Sequence, residues 1–344
     1  MALTSGGFRR GLLVSLVLCL VLGGVLYRLF AQSAGRDGPI ELAKRAREAL
    51  EAVKKRDLTP SSTLRVVATY DAILAPLDRL LGLARQLAEE EERNPAADYD
   101  HVRALVQPVI DIAPLAHAQS QMETGNFRKD FRFMEQKGEA CQLLAGALWN
   151  RLEAEHRQSA AGQRGERFVP EPANTERLYA ILRDGLEADP GNKDLWYLRA
   201  LVGRSNGVFG RAESDLRRAL NLDGQFVPAW NDLGLTLIHL GRFEEAGEAF
   251  TNARNQAAAA AKTAGRPVGS DYAAALLNLA DFHLNLADYY RREIGVDPGN
   301  RDNQDRLKLH MAGAAEATKE LLDAMPSDSP EAAEARRQQS RITY

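Results

Sequence analysis

The sequence predicts an all-α protein whose C-terminal part is a solenoid of paired helices, and three observations lead to this prediction. The offset from Trp196 to Trp230 also separates Ala212 from Ala246. A repeat period of about 34 residues is typical of helical solenoids. The recurring residues also lie at the spacing of one helix face. No segment shows convincing alternation of apolar and polar residues, which a half-buried strand would require.

Two helices can be drawn within each repeat unit. Aromatic and small residues form one stripe on each: Trp196, Ala200 and Gly203 on the first, and Ala212, Leu216 and Ala219 on the second. Small residues opposite a large ring let two helices approach closely. One pair cannot bury both of its faces, so successive units stack. In the second unit we expect Trp230 to fill the space beside Gly234 and Ala246.

The second unit carries a recognisable order of residues: Trp230, Leu233, Gly234, Ala246, Phe250 and Ala253. An aromatic and a small residue followed by A-x3-F-x2-A resembles the tetratricopeptide repeat (TPR) family. The first unit departs from that pattern, since Leu216 stands where Phe or Tyr is usual and Gly224 replaces a proline. The resemblance implies repeats at 193–226 and 227–260, within a TPR-like solenoid of residues 174–344 that ends in a C-terminal helical cap.

The N-terminal residues predict a membrane anchor. The run from Gly11 to Tyr27 has no charge and reaches the short end of the length that spans a bilayer. Two arginines precede it, and positive residues tend to stay in the cytoplasm. We therefore expect a cytoplasmic segment at 1–10, an uncleaved transmembrane signal anchor at 11–30 and a linker at 31–39. With an Arg- and Ala-rich composition, this favours a membrane-anchored bacterial TPR protein, single-pass in the inner membrane, with most of its chain in the periplasm.

The residues between the linker and the repeats also predict helices. Residues 40–158 form amphipathic segments, with three prolines that bend or split them. We expect this membrane-proximal region to be a helical bundle or a hairpin spacer. Residues 159–173 are polar and contain Gly and Pro, which indicates a loop and the best internal boundary.

The sequence shows no motif for catalysis or for a cofactor. A net charge of −3 argues against nucleic acid as the main partner. None of the six histidines forms a ligand pair at metal-binding spacing, although His283 with Asp281 and Asp288 is a weak alternative. P-loop, GxGxxG and GxSxG motifs are absent. We expect no metal, no cofactor and no enzymatic activity, and we expect Cys141 to be a buried structural thiol.

The face of each first helix that points away from the packing stripe is the candidate binding groove. It carries these residues: Asp194, Tyr197, Leu201 and Arg204 in the first unit, and Pro228, Asn231, Leu235 and Ile238 in the second. A groove with Tyr, Leu and Ile suits an extended or helical peptide with apolar anchors. Another helix of this protein could cover the same patch instead.

The side chains of this groove differ from those of family members that bind a C-terminal carboxylate. Some members hold a C-terminal carboxylate with Lys, Arg and Asn in this groove. Here Tyr197, Leu201 and Asp232 stand near the positions that would need polar or basic groups. The resemblance therefore argues against Hsp70 and Hsp90 C-terminal tails as partners.

These observations predict a scaffold that binds a partner protein through the groove. The predicted membrane anchor would raise the effective concentration of the partner, in the assembly or organisation of an envelope complex. Two alternatives stay open. One is a permanent accessory subunit of a large membrane complex, and the other is an enzyme whose helical site needs no motif.

Overall fold

The computed structural model describes residues 39–54, 63–90, 99–124, 131–264 and 270–342. The prediction of an all-α fold is confirmed, because these residues form helices and no strand. The chain divides into two compact units. The first reaches Gln158 and includes residues 187–189, and the second contains residues 159–186 and those from Pro190 onward.

Four helices make up the described part of the first unit. They are α1 (Pro39–Lys54), α2 (Thr63–Glu90), α3 (Tyr99–Thr124) and α4 (Phe131–Gln158). Each packs against the next, and α1 also packs on α3 and α2 on α4. Aliphatic side chains such as Leu77, Val106 and Leu148 are buried between them, and Cys141 is buried as expected. The three prolines that were predicted to bend or split helices are Pro76, Pro108 and Pro114. They lie inside α2 and α3, and both helices continue through them.

The predicted localisation in the inner membrane requires correction. No helix in the described ranges is long and apolar enough to cross a bilayer. The helices α1 and α4 carry charged residues along their length, which an apolar span lacks. The segments at 1–10, 11–30 and 31–38, on which the single-pass and periplasmic predictions were based, lie outside the described residues.

The second unit is a succession of helices. They are α5 (Ala160–Gln163), α6 (Pro172–Ala188), α7 (Lys193–Ser205), α8 (Phe209–Leu222), α9 (Val227–His239), α10 (Phe243–Ala264), α11 (Ser270–Val296), α12 (Arg301–Ala324) and α13 (Pro330–Ile342). From α7 onward each helix packs on the next, and α7 packs on α9, α9 on α11 and α11 on α13. This stacking of helix pairs is the layout of a solenoid. The segment predicted as a loop contains the short helix α5, and α6 begins with Pro172, a residue suited to a first helical turn.

The turn inside each repeat is built in the same way. Gly207 has φ 77° and Gly241 has φ 74°, a left-handed conformation that glycine adopts without strain. The amide of Val208 donates to the Gly203 carbonyl at 2.8 Å, and the amide of Arg242 donates to the Leu237 carbonyl at 2.9 Å. These bonds satisfy carbonyls at the ends of α7 and α9. The two glycines stand at the same offset as the two tryptophans, so the repeat extends to the backbone of the turn.

The repeat-defining tryptophans each make a hydrogen bond that the sequence did not predict. The indole Nε1 of Trp196 donates to the Pro190 carbonyl, and that of Trp230 donates to the Gly224 carbonyl, both at 2.9 Å. Because an indole N–H seeks an acceptor, each ring is held at the start of its helix and stays partly exposed. Trp230 also packs, partly buried, against the core cluster that contains Ala246, whereas the atoms nearest to Gly234 belong to another ring.

The ring that packs most closely against Gly234 is that of Phe250. A Cβ added to Gly234 would lie 2.7 Å from this ring, which is fully buried. The glycine therefore lets α9 and α10 approach closely. A small residue therefore does lie opposite an aromatic ring, and that ring belongs to Phe250.

The start of α7 offers a first test of the local structure. The side chain of Asn192 accepts from the amides of Asp194 at 3.0 Å and Leu195 at 3.2 Å. We expect Asn192→Ala to lower the free energy of unfolding by about 1 kcal/mol, since the cap of the helix is lost. Urea unfolding measures this, with Asn192→Asp as the control that keeps an acceptor. Equal midpoints for the alanine variant and the parent would contradict the capping role.

Candidate binding face

The residues predicted to line the groove lie on α7 and α9, and we call them the α7–α9 face. Its members are Asp194, Tyr197, Leu201 and Arg204 on α7, and Asn231, Leu235 and Ile238 on α9, with Pro228 in the first turn of α9. Asp194 and Arg204 mark the two ends of the face on α7. At about 1.5 Å per residue, the face is roughly 15 Å long, enough for about four or five residues of extended peptide.

Asp232 joins the two helices of this face. Tyr197 Oη donates to Asp232 Oδ2 at 2.7 Å, and Arg204 Nη2 lies 2.9 Å from Asp232 Oδ1. From the sequence alone, Asp232 is expected only to hinder carboxylate binding. In the structure it satisfies one tyrosine and one arginine of the predicted groove, and so fixes α7 against α9.

Tyr197, Arg204 and Asp232 form a polar cluster, and burial shifts the pKa values of its acidic groups. Asp232 is 8% exposed, and burial raises the pKa of its carboxyl group while Arg204 and the Tyr197 hydroxyl oppose the rise. Burial, and then the charge of Asp232, raise the pKa of Tyr197 far above its usual value. The tyrosine hydroxyl therefore stays protonated at every physiological pH and remains a donor to Asp232.

Two polar atoms of the face lack a partner among the residues that the structure describes. They are Asn231 Oδ1 and Arg204 Nε, and both are shielded from solvent. Asn231 as a whole is 8% exposed. Leaving such an atom without a hydrogen bond costs about 1–3 kcal/mol, so each one in a native protein requires an explanation. The face thus contains one acceptor and one donor that have no hydrogen-bond partner within the described residues.

Apolar groups surround the polar cluster. The Tyr197 ring meets the ring of Phe226 edge-on, with centroids 5.1 Å apart, and the Lys193 ammonium lies 4.7 Å from the centroid of Phe226. Leu235 and Ile238 are half-buried against the core of the solenoid. Leu201, one turn from Tyr197, is also half-buried. Phe226 was not among the predicted site residues, although it directly precedes α9 in the sequence.

Charged residues lie at both ends of the face. At the start of α7, burial raises the pKa of Asp194, which the nearby Asp223 also raises and Lys193 lowers. At the end of α7, Arg167 donates to the Arg204 carbonyl and its guanidinium lies 5.4 Å from the Phe209 ring. The segment that joins α5 to α6 therefore lies against the C-terminal end of this face.

A separate concavity of about 470 Å³ lies between α10, α11 and α12. It is lined by Ala258, Ala261, Tyr272, Glu316, Lys319, Glu320, Asp323 and Ala324. Glu316 and Glu320 are paired with Arg254, and Tyr272 donates to Glu320. These contacts join α10 and α11 to α12.

The weak alternative of a metal at His283 is not supported. Asp281 and Asp288 lie 3.7 and 2.8 Å from the guanidinium of Arg341 on α13. No group of three or more His, Cys, Asp or Glu residues that could hold a metal occurs in the described ranges. His283 faces His310 instead.

Comparison with known proteins identifies the repeat. A family model described as a tetratricopeptide repeat matches residues 227–253. No curated protein matches the sequence.

Solved structures similar to this chain include the following three proteins. A thermophilic TPR protein of Thermus thermophilus has 20% identity and a TM-score of 0.31, and the match covers 67% of this chain and 99% of that one. YrrB, a TPR protein with an unusual peptide-binding site, has 17% identity and a TM-score of 0.34, over 74% and 99% of the two chains. PilF of Pseudomonas aeruginosa has 16% identity and a TM-score of 0.31, over 61% and 89%.

The match coincides with the second predicted repeat. Residues 227–253 contain α9, the turn at Gly241 and the part of α10 that carries Ala246, Phe250 and Ala253. The same elements occur one repeat earlier in α7 and α8. Residues 227–253 of this chain are therefore a tetratricopeptide repeat.

Proposed function

We propose that the protein is a protein-binding scaffold whose α7–α9 face holds an extended peptide segment of a partner. The observation that carries this proposal is the pair of buried, unpartnered atoms on that face, Asn231 Oδ1 and Arg204 Nε, within the described residues. A peptide backbone supplies one N–H and one C=O per residue. A small side-chain adjustment would let Asn231 accept from the first and Arg204 donate to the second.

The apolar residues of the face supply the anchor sites. Leu201, Leu235 and Ile238 are half-buried, so they present carbon surface beside the polar atoms. Alternate side chains of an extended peptide would contact them while its backbone meets Asn231. Such an arrangement combines backbone affinity with side-chain selectivity.

The internal pairing of Arg204 restricts the chemistry of the ligand. Its Nη2 atom is already bound to Asp232, and Asp232 also accepts from Tyr197. The arginine therefore has little charge left to attract a terminal carboxylate. We propose that the face recognises an internal apolar segment, and that the C-terminal tails of Hsp70 and Hsp90 are not ligands.

Two other functions are less well supported. A permanent accessory subunit would bury the face against a fixed neighbour, and the same apolar residues would serve it. An enzyme would need convergent reactive side chains, whereas the polar groups that meet on this face are engaged in joining α7 to α9.

A selection experiment tests the proposal. The purified chain is panned against a phage-displayed library of random dodecapeptides, and enriched peptides are titrated by fluorescence anisotropy. We expect enrichment of segments with two or three apolar residues at alternate positions. Leu235→Glu should weaken their binding at least tenfold, because an unpaired charge would be placed in the contact.

Leu309→Glu is the matched control, since Leu309 is 65% exposed on α12 and lies outside the α7–α9 face. It should bind the selected peptides as the parent does. Failure to enrich any peptide would contradict peptide binding. Enriched peptides that bind Leu235→Glu normally would contradict the assignment of the face.

A further inference from the structure

Two histidines face each other across the last long helix pair. His283 on α11 and His310 on α12 bring their Nδ1 atoms within 3.0 Å. At this distance the N–H of one ring donates a hydrogen bond to the lone pair of the other ring nitrogen. The contact can form when both rings are neutral or when one is charged. It cannot form when both are protonated, since no lone pair is then left and two positive charges meet.

The packing around the pair leaves the His283 ring little freedom to turn away. A Cβ added to Gly313 on α12 would lie 2.6 Å from His283 Nε2, so α12 presses directly on the ring. Phe282 lies on another side, with its ring centroid 5.3 Å from that of His283. Tyr290 stacks on His310 with centroids 5.6 Å apart and planes 4° from parallel.

Charged groups are present on all four helices from α10 to α13, which pack around the pair. Arg306 on α12 lies beside Tyr290, to which it donates, and its charge disfavours protonation of His310. On α11, Asp288 is held by Arg291 at 2.8 Å, and from α13 Arg341 approaches the same carboxylate at 2.8 Å. On α10, Arg254 is engaged by Glu316 and Glu320, which lie further along α12. The carboxylate of Asp288 is thus neutralised by two arginines.

We propose that the His283–His310 pair makes the packing of α12 against α11 sensitive to pH. The neutral pair holds the two helices together, and protonation of both rings separates them. The histidine pair lies close to the second repeat, because Phe282, the neighbour of His283 on α11, packs on Phe250 of α10 with centroids 5.6 Å apart. Opening of α12 would therefore loosen the side of α11 that supports the repeat.

The pKa values of the two histidines give the direction of the pH effect and the pH range in which it occurs. Burial, and then the charge of His310, lower the pKa of His283 to about 4, and burial with the charge of Arg306 lowers the pKa of His310. An unfolded histidine titrates near pH 6.5, so the unfolded or opened chain binds more protons below that value. The stabilisation is complete above about pH 6.5 and is lost progressively as the pH falls from about 6.5 to 4.

Hydrogen exchange of the full chain tests the proposal. Exchange is followed by mass spectrometry at pH 7.5 and 5.0 in the presence of a chelator, and rates are corrected for their intrinsic pH dependence. We expect the opening equilibrium of α12 to rise about twenty-five-fold at pH 5.0, the change that a pKa lowered from about 6.5 to 4 produces. The helix α8 should not show that rise.

The double variant His283→Asn/His310→Asn removes both titrating rings and keeps side chains that can hydrogen bond. It should abolish the pH-dependent opening of α12, whereas His156→Asn on α4 should retain it. An unchanged pH response in the double variant would overturn the proposal. Should the double variant fail to fold, proton NMR titration of the parent decides: both imidazoles titrating near pH 6.5 would overturn it, and an apparent pKa near 4 would support it.

Discussion

Phe250→Ala is expected to lower the free energy of unfolding by about 3–5 kcal/mol, the range for large aromatic residues truncated in cores. The Phe250 side chain is fully buried and lies against Gly234 of α9 and Phe282 of α11. Its removal leaves a cavity at the point where three helices meet. The loss of the aromatic contact with Phe282, worth about 0.5–1.5 kcal/mol, is part of this effect. Urea unfolding followed by far-ultraviolet circular dichroism measures the change.

Phe243→Ala on the same helix is the matched control. Phe243 is 42% exposed, and its truncation should change the free energy of unfolding by about 0.5 kcal/mol or less. Equal effects of the two alanine variants would mean that Phe250 does not occupy the core position that the structure gives it.

The contact with Gly234 can be tested by a double-mutant cycle. Gly234→Ala alone should destabilise the protein, because the added Cβ would lie 2.7 Å from the Phe250 ring. In the Phe250→Ala background the same change should be neutral or stabilising, since alanine favours a helix by about 1 kcal/mol over glycine. Additive effects of the two substitutions would contradict direct contact between these residues.

Asp215→Ala is expected to cost about 3–5 kcal/mol, because it leaves a largely buried arginine without its partner. Arg199 Nε and Nη2 donate to the two oxygens of Asp215 at 2.8 and 2.6 Å, and the Asp215 side chain is 3% exposed. Arg199 also lies over the Trp196 ring at 4.5 Å. Thermal and urea unfolding of the variant measure the cost.

The second repeat suggests how the lost stability can be recovered. The positions equivalent to Arg199 and Asp215 in that repeat are Leu233 and Ala249, both 2% exposed. An apolar pair thus fills the place that an ion pair fills in the first repeat. The double variant Arg199→Leu/Asp215→Ala should be close to the parent in stability, since exchanging a buried ion pair for apolar residues is often neutral or better. A double variant as unstable as Asp215→Ala alone would contradict this equivalence.

The repeat was predictable because the same residue types recur at a fixed offset along the chain. Trp196, Trp230 and the small residues of α8 and α10 recur at one offset, and helical spacing fixes which of them share a face. Gly207 and Gly241 recur at that offset too and could have located both turns. Helix ends within the solenoid follow from such local signals, as the Asn192 cap illustrates.

The partner of each core residue was harder to predict. Trp230 and Phe250 are both aromatic and lie on facing helices, so spacing alone could not show which ring meets Gly234. In the structure the ring of Phe250 lies nearest to Gly234, and the indole N–H of Trp230 donates to the Gly224 carbonyl at the start of α9. Periodicity describes faces of helices and does not describe which side chains of two neighbouring helices meet.

The candidate site shows the same limit. The sequence places Tyr197 and Arg204 on one face of α7 at helical spacing. That Asp232 of α9 binds both of them depends on how the two helices pack. The unpartnered Asn231 Oδ1 likewise depends on its burial in three dimensions. These contacts require the structure.

Hydrogen exchange of the full chain, with and without a saturating amount of a selected peptide, tests the central claim most directly. If the α7–α9 face binds the peptide, amides of α7 and α9 should exchange more slowly in the complex, and Leu235→Glu should remove that protection. Protection confined to α11 and α12, or to the helices between residues 39 and 158, would show that the peptide binds elsewhere and would contradict the claim.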